Sequence, residues 1–194
     1  MTTGLRRRIL ILQVGLLAIF GFAAGFLFWT SSFIGGQVHD QLAQQQIFFP
    51  AAGSKGLDAA TYPTLQQYGG QQLLTGDQAK AYANDFIGHH LNAVAGGKTY
   101  SQVSALAQAN PKDTAVAAQV QTLFRGETLR GLLLNAYGWG TIGVYALYAG
   151  IGLAVATFAV LLALIFELVV APRSAREKVK ALKASPLTAP VATA

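Results

Sequence analysis

The chain has no cysteine, a single methionine, and few charged residues, which make up 11% of its 194 positions. Without cysteine it forms neither disulfides nor thiolate metal sites, so any folded part is held together by packing and hydrogen bonds. Proline is also scarce, and none occurs between Pro111 and Pro172. A stretch of that length without proline is free to form one uninterrupted helix.

Two long apolar runs are present, at residues 9–30 and about 139–171. Each exceeds the roughly 20 apolar residues that cross a hydrocarbon core of about 30 Å. Because basic residues favour the cytoplasmic side, the flanking cations predict two transmembrane helices in a plasma membrane, with both termini cytoplasmic. The lipid bilayer is thus the first predicted partner. The flanking cations are Arg6, Arg7 and Arg8 before the first run and Arg173, Arg176, Lys178, Lys180 and Lys183 after the second.

The net charge of +6 does not indicate a nucleic-acid partner. Residues 36–138 carry six basic and six acidic side chains, so their net charge is zero. The excess positive charge lies in the short terminal segments, where it orients the helices and contacts anionic headgroups. We therefore expect no nucleic-acid binding.

Five segments are predicted from these runs. A signal peptide has a shorter apolar core, of about 7–15 residues, so the first run is predicted to be a retained anchor. The segments are a basic cytoplasmic N-terminus at 1–8, a transmembrane helix at 9–35, an extracytoplasmic helical domain at 36–138, a second transmembrane helix at 139–171, and a basic, disordered cytoplasmic tail at 172–194.

The segment 36–138 shows helical patterns and no strand alternation. The Gln-rich stretch 37–46 can extend the first helix by two or three turns, and a loop with one short turn near 62–68 should follow. Capping boxes are predicted at Thr75 with Gln78 and at Thr99 with Gln102, because each hydroxyl and amide can satisfy free backbone N–H groups. Between them lies one apolar face, comprising Ala79, Tyr82, Ala83, Phe86, Ile87, His90 and Val94, with Gly96 and Gly97 as its stop.

A last helix is predicted to begin with Asn110 as N-cap and Pro111 at the first helical position. It can run straight into the second apolar run. The predicted fold is therefore an all-α membrane protein. Two transmembrane helices flank a helical extracytoplasmic domain, and the second span is continuous with a long stalk helix.

The three histidines, His39, His89 and His90, are the residues that suggest metal or acid–base chemistry. Adjacent histidines on a helix point about 100° apart and do not share a metal as an i, i+4 pair does. We interpret them as packing or surface residues and expect no metal, no cofactor and no catalysis. The alternative is a site in which Asp85 or His39 converges on them.

The segment from Gly96 to Thr99 resembles the end of a phosphate-binding loop and precedes a helix. Such a loop needs an earlier glycine where this chain has Asn92, and a buried strand before it. We therefore expect no nucleotide partner.

Docking candidates lie in a charged cluster and in the apolar runs. Arg125, Glu127 and Arg130 are interpreted either as a surface ion pair between Glu127 and Arg130 or as a patch that docks a partner. Small residues at a spacing of four let helices approach closely, so the two runs either pack on each other or dock on another membrane protein. These small residues are Gly21 and Gly25 in the first run and Ala146, Gly150 and Ala154 in the second.

The chain contains Val38–Leu42 leading to Ile47, Ala81–Ala83 leading through Ile87 and His90–Leu91 to Gly96–Tyr100, and Leu123–Arg130 before the second apolar run. These stretches resemble a family of uncharacterised two-span membrane proteins of actinobacteria. Members of that family are sometimes labelled aromatic ring-opening dioxygenases, a chemistry that needs clustered histidine and carboxylate ligands for iron, which this chain does not show. The resemblance implies an architecture and a bacterial plasma membrane, and no activity.

Two functions are predicted. The first is a non-catalytic accessory or scaffold protein that docks on a larger envelope or respiratory membrane complex, or associates with itself as a homo-oligomer. The second is an extracytoplasmic ligand-sensing module that signals through a partner protein.

Overall fold

The computed structural model describes residues 3–170, which form helices and loops, with no strand among them. A single bridge joins Phe48 to Gln72. The predicted all-α class is confirmed for this part of the chain, whereas the predicted tail at 172–194 and its five cations lie outside it. The helices are α1 (Thr3–Gln44), a 3₁₀ helix (Pro63–Tyr68), α2 (Gly76–Ala81), a π-helical segment (Tyr82–Ile87), α3 (Gly88–Ala95), α4 (Tyr100–Ala109), α5 (Thr114–Ile165) and a second π-helical segment (Phe166–Val170).

Two of these helices are long and apolar enough to cross a membrane, at Gly4–Gln44 and Thr114–Val169. Their most apolar windows have mean hydropathies of 2.3 and 2.5, and only 6% of each window is buried. The core helix of a soluble protein would instead be mostly buried. Helix α1 also continues through the Gln-rich stretch to Gln44, and α5 runs unbroken into the second apolar run, as predicted.

Packing divides the chain into two compact units. The central unit is Trp29–Leu147, and the terminal unit comprises the described residues of Met1–Phe28 and Tyr148–Ala194. Helices α1 and α5 contribute residues to both. The bounds of the five predicted segments derive from apolar runs rather than from packing, so they stay predictions.

The central unit has an apolar core in two clusters. Phe49, Leu57, Leu65 and Leu73 are at most 2% exposed in the larger cluster, which also takes one face of α1 and Leu133 of α5. The loop that supplies them is held by backbone hydrogen bonds, including 2.9 Å from Leu73 N–H to the Ile47 carbonyl. The smaller cluster joins α3, α4 and α5 through Leu91, Ala95, Val103 and Leu123.

The terminal unit is an antiparallel pair of helix segments. At one end, Arg6 Nη2 donates to the carbonyl oxygen of Glu167 at 2.6 Å, and Arg6 Nε lies 3.9 Å from a carboxylate oxygen of Glu167. At the other end, α5 passes so close that a Cβ added at Gly150 would lie 3.1 Å from the ring of Phe28. The apolar runs therefore pack on each other within this unit.

Both predicted capping boxes are confirmed. In each, the threonine hydroxyl accepts a hydrogen bond from the backbone N–H three residues on, and the glutamine side chain accepts one from the threonine N–H: Thr75 with Gln78, and Thr99 with Gln102. Gly96 stops α3 in the left-handed conformation at φ 56°, which glycine adopts without steric cost.

The start of the last helix was predicted wrongly. Asp113, not Asn110, caps α5, because its carboxylate accepts hydrogen bonds from the N–H groups of Ala115 and Val116 at 3.0 and 3.1 Å. Asn110 instead closes a turn, in which its carbonyl accepts from Asp113 N–H at 3.0 Å. Asn110 is the C-cap of α4, where its N–H donates to the Leu106 carbonyl, so α5 begins three residues later than predicted.

The predicted apolar face is confirmed except at His90. Ala79 and Ala83 are buried, and the half-buried residues packed against the core are Tyr82, Phe86, Ile87 and Val94. The π-helical segment Tyr82–Ile87 contains more residues per turn than an α-helix. The buried positions that follow are Leu91 and Ala95, whereas His90 is exposed. The prediction that His90 lies on the apolar stripe is therefore wrong by one residue.

Candidate functional site

The central unit has a cleft of about 510 Å³ between residues 33–47 and residues 129–139. Its walls are the last turns of α1 and the middle of α5, with Ile47 at the end of the first wall. Clefts that hold small molecules commonly have volumes of about 300–1,000 Å³. The cleft is therefore large enough for a ligand.

Its lining falls into three layers. The floor is apolar, because it is part of the larger core cluster, and the mouth carries large apolar side chains that are 39–64% exposed. Amide side chains stand at the rim. The floor is Ile34, Val38, Leu42 and Leu133 with half-buried Ile47 and Ala136; the mouth is Phe33, Leu129, Leu132 and Trp139; the rim is Gln37, Gln41, Gln45 and Asn135.

Local sequence explains this layering. Residues 34, 38 and 42 recur every four positions and so share the face of α1 that turns to the core. Residues 37, 41 and 45 follow the same spacing one position away, beside that face. The end of this wall is fixed because the Gln72 side chain donates to the carbonyl of Ala43 at 2.9 Å. The cleft is thus built on secondary structure and not on a free loop.

Sequence reasoning missed this cleft, although part of its signal was visible. The Gln-rich stretch 37–46 was interpreted only as a helix extension. The spacing of its amides was readable, but the opposite wall lies about 90 residues further along the chain. Only the packing of α1 against α5 brings the two walls together.

In the charged cluster of α5, Arg130 makes contacts within the fold and is not only a surface charge. The predicted pair of Arg130 and Glu127 is confirmed, at 2.9 Å. The same guanidinium also donates from Nε to the carbonyl of Ala83 at 3.0 Å and from Nη2 to Asn84 at 3.3 Å. Arg130 therefore joins α5 to the π-helical segment. The side chain of Arg125 is exposed and makes no hydrogen bond or ion pair within residues 3–170.

The small residues of the apolar runs have different surroundings. Ala146 and Gly150 are buried, and Ala154 is half-buried. A Cβ at Gly21 would be in ordinary contact with Thr157, at 3.9 Å, whereas one at Gly25 would meet nothing within 4 Å. Helix α1 therefore keeps Gly25 on an open face, and its neighbour Ala24 is the residue buried in the terminal unit.

The polar residues of the apolar runs are not brought together as a pair. Glu167 contacts Arg6, as described above. Gln13 Oε1 is shielded from solvent and has no hydrogen-bond partner in the described part of the chain. No contact joins Gln13 to Glu167 there, so the arrangement does not form a proton relay between them.

The three histidines are exposed in the central unit. His39 Nδ1 lies 3.1 Å from the Asp40 carboxylate, and His89 and His90 lie beside an aromatic cluster. His90 Nδ1 is 2.9 Å from the Phe86 carbonyl, to which it donates when that nitrogen carries the proton. The Tyr62 ring packs against both, with its centroid 5.1 Å from that of His89 and 6.1 Å from that of His90. Burial raises the pKa of the Tyr62 hydroxyl, and the carboxylate of Asp58 adds to the effect. Within residues 3–170, no three His, Asp or Glu side chains are grouped so as to hold a metal ion.

No protein-family model, no curated protein and no solved structure matches this chain. The resemblance to the two-span actinobacterial family therefore stays a prediction. Function has to be argued from the site.

Proposed function

We propose that this protein is a non-catalytic accessory or scaffold protein of the bacterial plasma membrane, which docks on a larger membrane complex or on a second copy of itself. The observation that carries the proposal is the open glycine face of α1 at Gly25, on a helix that is long and apolar enough to span the bilayer. Small residues on membrane helices are typical of helix contacts, because they let two backbones approach closely.

The proposed topology places both ends of the chain in the cytoplasm and the central unit outside. The antiparallel packing in the terminal unit supports it, since the Arg6 end of α1 contacts the Glu167 end of the last helix. Basic residues at positions 6–8 favour the cytoplasmic side for that end. The extracytoplasmic domain then carries balanced charge.

The accessory part of the proposal is supported by the character of the core. Among the described residues, the buried side chains are apolar apart from the hydroxyl of Tyr62. A closely packed apolar core is suited to holding a rigid surface toward a partner.

The test is native sizing of a tagged full-length chain, extracted from its own membranes in mild detergent, with mass spectrometry of the proteins that co-purify. We expect a stoichiometric complex that Gly25→Leu weakens by about tenfold in recovered partner, as overpacking a close helix contact costs about 1–3 kcal/mol. The matched control is Gly15→Leu on the same helix, because a Cβ at Gly15 also meets nothing within 4 Å, but Gly15 has isoleucine and no small residue four positions to either side.

Two results would contradict this proposal. One is a chain that runs as a monomer without partners under all mild extraction conditions. The other is a complex that both leucine variants disturb equally, which would indicate a general effect of bulk on membrane insertion.

A second candidate is an extracytoplasmic ligand-binding module that signals through a partner protein. The cleft of the central unit favours it, since its volume and its three layers fit a small amphiphilic guest. The two candidates concern different surfaces and can be tested separately.

A further inference from the structure

The mouth of the cleft exposes more apolar surface than water favours. Leu132 is 64% exposed, Phe33 54%, Trp139 52% and Leu129 39%. Contiguous apolar patches on a folded surface mark places where something else binds. These four side chains surround one opening, so a single apolar guest would cover all of them.

The cleft lies close to both apolar runs in the sequence. Its first wall begins four residues after Trp29, and Trp139, in its second wall, stands where the second run begins. Tryptophan is enriched at the boundary between lipid and water. A cleft whose own lining carries such a residue points to a lipid as its apolar guest.

The chemistry of the rim restricts the headgroup. None of the fourteen lining residues is charged. The side-chain amides of the four rim residues form no hydrogen bond with other residues in the range 3–170. Each amide both donates and accepts. An uncharged headgroup with several hydroxyl groups satisfies them, whereas an anionic headgroup finds no cation in the cleft.

We propose that the cleft binds a membrane lipid with an uncharged, hydroxyl-bearing headgroup, with one acyl chain on the apolar floor and the headgroup at Gln37, Gln41, Gln45 and Asn135. A cleft of about 510 Å³ is large enough for one chain and too small for a transmembrane helix. This inference rests on the second candidate function and is independent of docking at Gly25.

The test uses the full-length chain in nanodiscs of phosphatidylcholine that contain a monoacylglycerol with a diazirine in its acyl chain. After photolysis, labelled residues are mapped by mass spectrometry. We expect saturable labelling in residues 33–47 and 129–139. Monooleoylglycerol should compete, and oleate, which shares the chain but carries a carboxylate, should compete at least about tenfold less well, since a charge without a partner is poorly tolerated in an apolar site.

Two variants and one control sharpen the test. Leu132→Gln should lower saturable labelling by roughly fivefold or more, because it replaces an apolar contact with a polar one. Gln41→Leu should weaken competition by monooleoylglycerol by about threefold, through loss of a hydrogen bond to the headgroup. Leu106→Gln is the matched control, since Leu106 is 48% exposed and lies outside the cleft.

Labelling that does not saturate, that oleate suppresses equally, or that Leu132→Gln and Leu106→Gln leave alike would overturn the proposal. So would a photoproduct that joins the cleft of one chain to a second copy. Native sizing of the unlabelled chain is unaffected by these results, so failure of the lipid site and failure of the accessory function are distinguishable.

Discussion

The central and terminal units use apolar residues in opposite ways. The central unit buries large side chains, and Leu57, Leu65 and Leu73 are fully inside it. In the described part of the terminal unit only Ala24 is a buried apolar side chain, while Phe22 is 78% exposed. Water drives large apolar groups together, whereas in lipid they gain little from burial and small residues make the helix contacts. The contrast is the one expected if lipid surrounds the terminal unit and water the central unit, as proposed above.

The strongest way to break this comparison is to shorten one leucine in each unit. Leu65→Ala should lower the unfolding free energy of the central unit by about 2–5 kcal/mol, since Leu65 is completely buried. Leu12→Ala, at a position that is 62% exposed, should change the unfolding free energy of the terminal unit by less than about 0.5 kcal/mol. Hydrogen exchange in nanodiscs measures both, from α2 and α3 amides for the central unit and from α1 amides at 9–20 for the terminal unit. Equal losses would show that the terminal unit is packed as tightly as the central one.

Two glycines of α5 test how closely its neighbours approach within the central unit. A Cβ at Gly126 would lie well within contact distance of the buried Leu91 side chain, whereas one at Gly131 meets nothing within 4 Å. Gly126→Ala should therefore destabilise by about 1–3 kcal/mol through overpacking. Gly131→Ala should be neutral or stabilising by up to about 1 kcal/mol, because alanine is the better helix former. The same exchange measurement gives the sign, and a stabilising Gly126→Ala would contradict the close contact.

Two arginines of the same helix test whether charge supports the core. Arg130→Met removes the bonds to Ala83 and Glu127 and should lower the unfolding free energy by about 1–2 kcal/mol, at the low end for charged hydrogen bonds because the side chain is 27% exposed. Arg125→Met, at an exposed position, should stay within about 0.5 kcal/mol. Chemical denaturation midpoints compare them. Similar midpoints for the two variants would show that Arg130 contributes no more to stability than an exposed charge does.

The smallest expected effect concerns pH. Burial raises the pKa of Tyr82 above its ordinary value near 10. Its neutral form is thus favoured in the folded state, so its contribution to stability is complete below about pH 10 and is lost as pH rises through the raised pKa. Tyr82→Phe should flatten the alkaline fall in stability, whereas Tyr100→Phe, at an exposed ring, is the control. Identical profiles for Tyr82→Phe and the parent chain would contradict the assignment.

Local signals were enough for most of the secondary structure. The capping threonines and the αL glycine at Gly96 depend on contacts within a few residues, which sequence patterns contain. Asp113 and Asn110 are both suitable N-cap residues, and the sequence pattern did not show that Asn110 ends α4 while Asp113 starts α5. The π-helical segment was not predicted, and the Arg130 side chain that bonds to its Ala83 carbonyl comes from a residue 47 positions away.

The same division holds for the candidate sites. The pair of Arg130 and Glu127 follows from a spacing of three on one helix. The cleft does not, because its walls meet only when residues 33–47 pack beside residues 129–139. The difference between Gly25, which faces open space, and Gly150, which faces Phe28, does not follow from spacing either. The sequence shows that both are small residues but not what each one contacts.

By itself, the sequence determined the all-α class, the two long apolar helices and the positions where most helices begin and end. These depend on composition, on a period of 3.6 and on short-range hydrogen bonds. Tertiary structure alone decided which faces of α1 and α5 are covered, that Leu91 and not His90 enters the core, and that a lined cleft lies between α1 and α5. Those features depend on contacts between residues far apart in the chain, whose geometry no local pattern contains.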